Sequence, residues 1–184
     1  LDEDDVLIGT AITDGASDVL LVSSEGKTVR FKETAVRAMG RTARGVRGIK
    51  MGENQHLIAL MIPRADGRVL TVSEHGYGKR THVDEFPVKG RGTQGVIGMQ
   101  TSERNGRLVG AIQVDAGNEM MLISDQGTLV RCRTDEVSEL GRNTQGVRVI
   151  RLKEGESLVS VARIEDTDSE DADEPAAEEG GSES

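Results

Sequence analysis

Basic side chains recur in this sequence at one fixed spacing. Counted from the turn glycines Gly26, Gly76 and Gly127, position +4 is Arg30, Arg80 and Arg131. Position +6 is Lys32, His82 and Arg133, and position +15 is Arg41, Arg91 and Arg142. Arg44, Arg47, Lys79, Lys89 and Arg148 lie close by, as do Arg37, Lys50 and Arg151. A guanidinium presents a planar fork of donors that matches phosphate and carboxylate oxygens. The chemistry implied is non-covalent: one anion contact made once per unit, as a polyanion of regular phosphate spacing requires. Core packing fixes apolar residues and turns fix glycines, so neither explains a base at one outward place in every copy.

Bond-making chemistry finds little support. Tyr77 is the sole tyrosine, and its counterparts in the other units are Lys27 and Thr128. It reads as a turn residue without a general base beside it. His56, His75 and His82 lack metal-ligand spacing, and the run of acids at residues 2–5 reads as solvated carboxylates. Residues 76–79 lack both the Walker spacing and a following helix. The lone Cys132 rules out an internal disulfide and a cysteine-based zinc site, and it suits a reducing cytoplasm.

The elements that would carry the bases repeat with them. The turn glycines are 50 and 51 residues apart. Gly40, Gly90 and Gly141 follow at +14, and Gly45, Gly95 and Gly146 follow at +19, each of these last before a valine. Short apolar runs, 19–22, 69–72 and 120–123, precede the turn glycines and alternating runs follow them. That pattern predicts a β-hairpin per unit, the glycine supplying a positive φ at the turn. Further strands are expected after Gly45, Gly95 and Gly146, and at residues 7–12, 57–62, 108–114 and 158–164. A short helical turn fits near Asp84 or Asp135. About four strands per unit and a period near 50 describe all-β, propeller-like blades. The units fall near 1–50, 51–100 and 101–151 with a closing strand at 158–164, together a partial disc over 1–164. Leu1 aligns with Met51, so the chain is expected to begin partway through a unit of a longer protein. Within the hairpins, +4 and +6 share one face, while Val29, Phe31, Val130 and Cys132 at +3 and +5 face the other way. Lys79 and Thr81 break the apolar side of this pattern in the second unit. The basic face is therefore expected to point outward, as a positive strip along a curved rim.

Charge is unevenly placed. The 184 residues carry a net −9, but residues 165–184 hold ten acids and no Lys or Arg. Residues 6–164 carry 18 acids against all 23 bases, a net of +5, and 17 of those bases are Arg. The acidic stretch has no aromatic residue and is expected to be a disordered tail. No apolar run reaches the roughly 18 residues of a membrane span.

The three Gly-Arg-x-x-x-Gly-Val segments at 40–46, 90–96 and 141–147 resemble the family of C-terminal domains of DNA gyrase A subunits. So do the stretches 25–33 and 76–81, and the similarity covers residues 6–164. The acidic tail resembles that of proteobacterial members. The resemblance implies a six-bladed β-pinwheel that wraps double-stranded DNA around a basic rim and so supports ATP-dependent negative supercoiling by the whole topoisomerase. It implies DNA contacts by Arg30, Lys32, Arg41, Arg44, Arg47, Lys79, Arg80, Lys89, Arg91, Arg131, Arg133, Arg142 and Arg148. It implies no cofactor in this stretch; the parent enzyme uses ATP and Mg2+ through its partner subunit. The implied partners are the rest of the gyrase A subunit, together with the gyrase B subunit in an A2B2 heterotetramer. The implied place is the bacterial cytoplasm at the nucleoid, without a membrane. Neither the family's Gln-Arg-Arg-Gly-Gly-Lys-Gly box nor the breakage-reunion region with its nucleophilic tyrosine is present, and residues 89–95 are a degenerate relative of the box. The stretch is thus expected to be non-catalytic. A topoisomerase IV C-terminal domain is the alternative within the family, though its pinwheel is less regular. A propeller-type protein-interaction module is the alternative outside it, against which the scarcity of aromatic residues counts.

Overall fold

The computed structural model describes residues 5–164; residues 1–4 and the acidic stretch 165–184, including the expected disordered tail, lie outside the described residues. The fold is all-β. Three hairpins anchor it: β1 (Asp18–Ser23) with β2 (Lys27–Lys32), β4 (Arg68–Ser73) with β5 (Tyr77–His82), and β8 (Glu119–Ser124) with β9 (Leu129–Arg133). Branched side chains such as Val19, Val22, Val69 and Val72 favour the extended chain, and Gly26 and its two counterparts turn it at φ near 80° (73, 81 and 82°).

Each hairpin is completed by strands of the next unit. The first sheet runs β3 (Leu57–Met61), β1, β2, β6 (Val96–Ile97). The second runs β10 (Val147–Arg148), β5, β4, β7 (Leu108–Val114), and the third runs β11 (Leu158–Ile164), β8, β9. The expected four strands are present in the first two sheets, but consecutive units share them.

Two expected strands do not form among the described residues. Residues 7–12, the counterparts of β3, pair with no described strand, and Val6, Leu7 and Ile12 are exposed. After Gly45 only an isolated bridge, Ile49 to Thr93, replaces the strand seen after Gly95 and Gly146. The helical turns near Asp84 and Asp135 do form, as 3-10 turns at Val83–Glu85 and Thr134–Glu136, with a third at Glu33–Ala35. Among the described residues no helix is long and apolar enough to cross a membrane.

The core lies between the sheets. Leu20, Val22, Val69, Tyr77, Val83, Phe86 and Met99 fill the space between the first and second sheets. Leu70, Val72, Met120, Leu122, Val137 and Leu158 fill that between the second and third. Val69 faces one way and Leu70 the other, so β4 is buried on both faces. Each such side chain contributes about 1.5–3 kcal/mol by leaving water. Close packing at the seams makes glycine obligatory there. A Cβ on Gly26 would collide with the Met99 carbonyl oxygen, and one on Gly95 with that of Thr28. Their counterparts Gly127 and Gly45 have nothing within 4 Å. Burial, with Glu136 and Glu119 nearby, pushes the half-buried Cys132 thiol pKa up.

Candidate nucleic-acid interface

The strands do not carry their +4 arginines to an open rim. Arg30 and Arg80 enter the seams between units, where each side chain is only 14% exposed. Arg30 Nη1 donates to the carbonyls of Val83 (3.0 Å) and Phe86 (3.2 Å), on the 3-10 turn of the next unit. Its Nε donates to Asp18 at 2.9 Å. Arg80 repeats the arrangement one unit on, with Nε donating to the Val137 carbonyl at 2.8 Å and Nη1 to Asp135 at 3.0 Å. The guanidinium forks thus add donors to the carbonyls at each short helical turn, the Val83 carbonyl also accepting from the Phe86 N–H. Arg131 pairs with Glu119 and is 58% exposed.

Two of the +15 arginines reach the opposite way. Arg91 Nε donates to the Ala35 carbonyl (2.8 Å) and Nη1 to that of Arg47 (3.1 Å). Arg142 Nε donates to the Glu85 carbonyl (3.0 Å) and Nη1 to that of Ile97. Each seam is thus crossed by two arginines in opposite directions, Arg30 with Arg91 and Arg80 with Arg142. The first member of the set, Arg41, is exposed. Here the outward-facing expectation is corrected: a base at a fixed place is explained by backbone carbonyls of the neighbouring unit.

Lys79 is corrected most sharply. It is 0% exposed, and Nζ donates to the carbonyls of Gly141 (2.8 Å) and Arg142 and to the Thr144 hydroxyl (3.1 Å). Burial pulls its pKa down to about 8, the Arg142 charge adding to this and Glu85 opposing it. At +6, Lys32 is exposed and pairs with Asp18 at 2.7 Å, Arg133 is exposed, and His82 accepts from the Asp84 N–H. Burial pushes the Asp18 carboxyl up, but hydrogen bonds from Lys32 and Arg30 outweigh it and hold the pKa below the usual carboxylate value.

The remaining expected site residues form exposed groups. Arg41, Arg44 and Arg47 lie on one loop and Lys89 on the next, all with exposed side chains. The loops touch: the Gly92 N–H donates to the Gly48 carbonyl and the Lys50 N–H to that of Thr93 (2.8 Å). Further along, Arg133 and Arg148 line one cleft with Cys132 and Val147.

One cluster was not legible from the sequence. The Tyr77 ring is 4% exposed, with the guanidinium of Arg104 4.9 Å and that of Arg148 5.3 Å from its centre. Arg148 Nη2 (2.9 Å) and Arg104 Nε (3.3 Å) both donate to the phenol oxygen, and these bonds lower the phenol pKa. The available signal was the break in the repeat that places tyrosine where the other units have Lys27 and Thr128. Among the described residues no group of three or more His, Cys, Asp or Glu could hold a metal.

Comparison with known proteins places this geometry. The family described as "DNA gyrase C-terminal domain, beta-propeller" matches residues 17–64, 67–115 and 118–165. The chain is 56% identical over 180 residues to the DNA gyrase A subunit of Pseudomonas aeruginosa, covering 97% of this chain and 20% of the relative. It is 53% identical over 170 residues to the DNA gyrase A subunit of Escherichia coli K12, covering 92% and 19%. The chain therefore spans about a fifth of the length of these relatives. A solved DNA gyrase A C-terminal domain superposes with a TM-score of 0.73 at 30% identity, covering 80% of this chain and 50% of that one. The C-terminal domain of a DNA topoisomerase IV superposes with a TM-score of 0.83 over 90% of this chain and 52% of that one, a likeness of fold alone at 22% identity.

Proposed function

The chain belongs to the DNA gyrase C-terminal domain family, and from that premise we propose that it is a non-catalytic domain that binds double-stranded DNA and bends it along its basic rim. The observation that carries this reading is the group of exposed bases on touching loops, Arg41, Arg44, Arg47 and Lys89, with Arg133 and Arg148 exposed in the third unit. Contacts of this kind go to phosphates and position the duplex without reading its sequence. Bending a short duplex costs on the order of several kcal/mol, offset by the contacts that the bend permits. Within a whole type IIA topoisomerase the bend would present a DNA crossing for strand passage, and so support ATP-dependent negative supercoiling. ATP and Mg2+ would then act through the partner subunit in the A2B2 assembly, in the cytoplasm at the nucleoid, and no residue of this chain is assigned to them.

The test is the salt dependence of binding to random-sequence duplex. Arg41→Ala and Arg47→Ala should weaken all sequences alike and lower the salt slope by about 1 each. Arg142→Ala, which removes a seam contact, should act first on thermal stability. Binding that ignores salt would overturn the reading. A second reading, a protein-interaction module, is favoured by one feature: the first sheet carries an apolar cleft of about 680 Å3, lined by Val19, Leu21, Phe31, Leu57 and Leu60 among others. A gel shift with plain duplex separates the two.

A further inference from the structure

Tyr77 and Arg104 stand outside the repeat, whereas Arg148 has a counterpart in Arg47. In the first sheet the facing pair is Lys27 and Ile97, whereas in the second it is Tyr77 and Arg148. Arg148 lies on β10, the edge strand of that sheet, at the hairpin end of β5. Arg80 is three residues further along β5, so its seam contact is about 10 Å away. Arg104 comes from a braced loop: the buried Asn105 side chain accepts from the Ser102 N–H (2.8 Å) and donates to the Gln100 carbonyl (2.7 Å). The Gly106 N–H adds a bond to the Ser102 carbonyl at 2.8 Å.

The two guanidiniums share one phenol oxygen and one ring, and among the described residues neither pairs with a carboxylate. Each spends one N–H on Tyr77, and both side chains are otherwise at the surface. Two like charges held together repel, and an anion that bridges them recovers that energy. The ring fixes both planes in advance, which reduces the ordering cost of binding. Beside them lies a cavity of about 230 Å3 lined by His75, Arg148, Ile150, Leu152, Lys153 and Glu156. Both Glu156 carboxylate oxygens are already engaged, one by the Ser124 hydroxyl and the other by the Lys153 N–H.

We propose that Arg104 and Arg148, seated on Tyr77, form a two-pronged receptor for a backbone phosphate of DNA crossing the seam between the second and third units. This rests on the DNA-binding reading above and adds a site to it. Arginine forks take two phosphate oxygens at once, and the buried ring beneath them holds the forks open at the edge of the sheet.

The chain reports on this site directly, since Tyr77 is its only tyrosine and it has no tryptophan. With ring-13C tyrosine incorporated, the full chain gives one ring environment to follow while random-sequence duplex is titrated at several salt concentrations. The expected result is a shift of the Tyr77 signal on saturation. The Arg104→Gln, Arg148→Gln double variant should bind about tenfold more weakly, with a salt slope lower by about 1. Its unshifted free-state melting temperature is the folding control. Where the double variant melts early, Arg104→Gln alone, at an exposed loop position, should show a smaller loss in the same direction. Unchanged affinity and slope in the folded variants, with the duplex still bound, would overturn this site and leave the broader reading standing. A folded parent chain that binds no duplex would overturn both.

Discussion

Arg41 and Arg142 occupy the same place in the same motif, yet Arg142 grips two carbonyls of the unit before it while Arg41 stands in water. The hairpin turns divide in the same way. Gly26 lies against the Met99 backbone and Gly76 lies 2.6 Å, counted from an added Cβ, from the Ile150 carbonyl oxygen, whereas Gly127 has open space around it. Positions that face a neighbouring described unit and positions that face none thus show one pattern in two environments. The difference shows that the recurring arginines and glycines encode the docking of one unit on the next. The proposed anion contacts are then left to bases that docking does not use, and to the cluster at Tyr77.

The glycines offer the largest test. Gly26→Ala combines a left-handed backbone with a clash against backbone, and should cost about 3 kcal/mol or more. Gly127→Ala carries only the backbone strain, about 1–2 kcal/mol. Urea midpoints would measure both, and equal losses would break the distinction between seam and end. Next come the arginines. Arg80→Met leaves seam carbonyls without a donor, worth about 1–3 kcal/mol, while Arg131→Met should stay within about 0.5 kcal/mol.

Lys79 sharpens the contrast between the two seams, because its counterpart in the first unit is the buried Val29. With a pKa of about 8 against the ordinary 10.5, it is neutral in the fold and protonated in the unfolded chain between those values. Stability should therefore rise with pH from about 8 to 10.5 through this group, and melting temperatures of Lys79→Met should lack that rise. On the acid side the titrating group is Glu156. Hydrogen bonds from Ser124, Thr128 and the Lys153 N–H hold its carboxyl at about 2 rather than 4.5. Its contribution is present above 4.5 and fades as pH falls towards 2, so Glu156→Gln should flatten the acid side of the stability profile.

The hairpins, their glycine turns and the alternation of Val29 and Phe31 against Arg30 and Lys32 were legible because each is set within a few residues. The partners of the outer strands were not. Nothing local to residues 57–61 says that they pair with β1, which ends at Ser23, and not with the adjacent β4. The fate of the arginines was hidden for a chemical reason. A guanidinium suits backbone carbonyls as well as phosphates, so a fixed period in arginine does not say which it meets. Asp18 is the local signal: a carboxylate diagonally across the hairpin from Arg30 neutralises it before any outside anion arrives. Tyr77, Arg104 and Arg148 come together over separations of 27 and 71 residues, beyond any spacing rule.

The lending of strands has a mechanical consequence. β3 and β6 belong to the second unit but hydrogen-bond into the first sheet, and β7 and β10 tie the third unit to the second in the same way. Prising two neighbours apart means stripping ladders from a sheet, a far stiffer deformation than sliding two surfaces. Neighbouring units are therefore held in a fixed relation to one another, and a load applied to one is passed to the next through backbone hydrogen bonds.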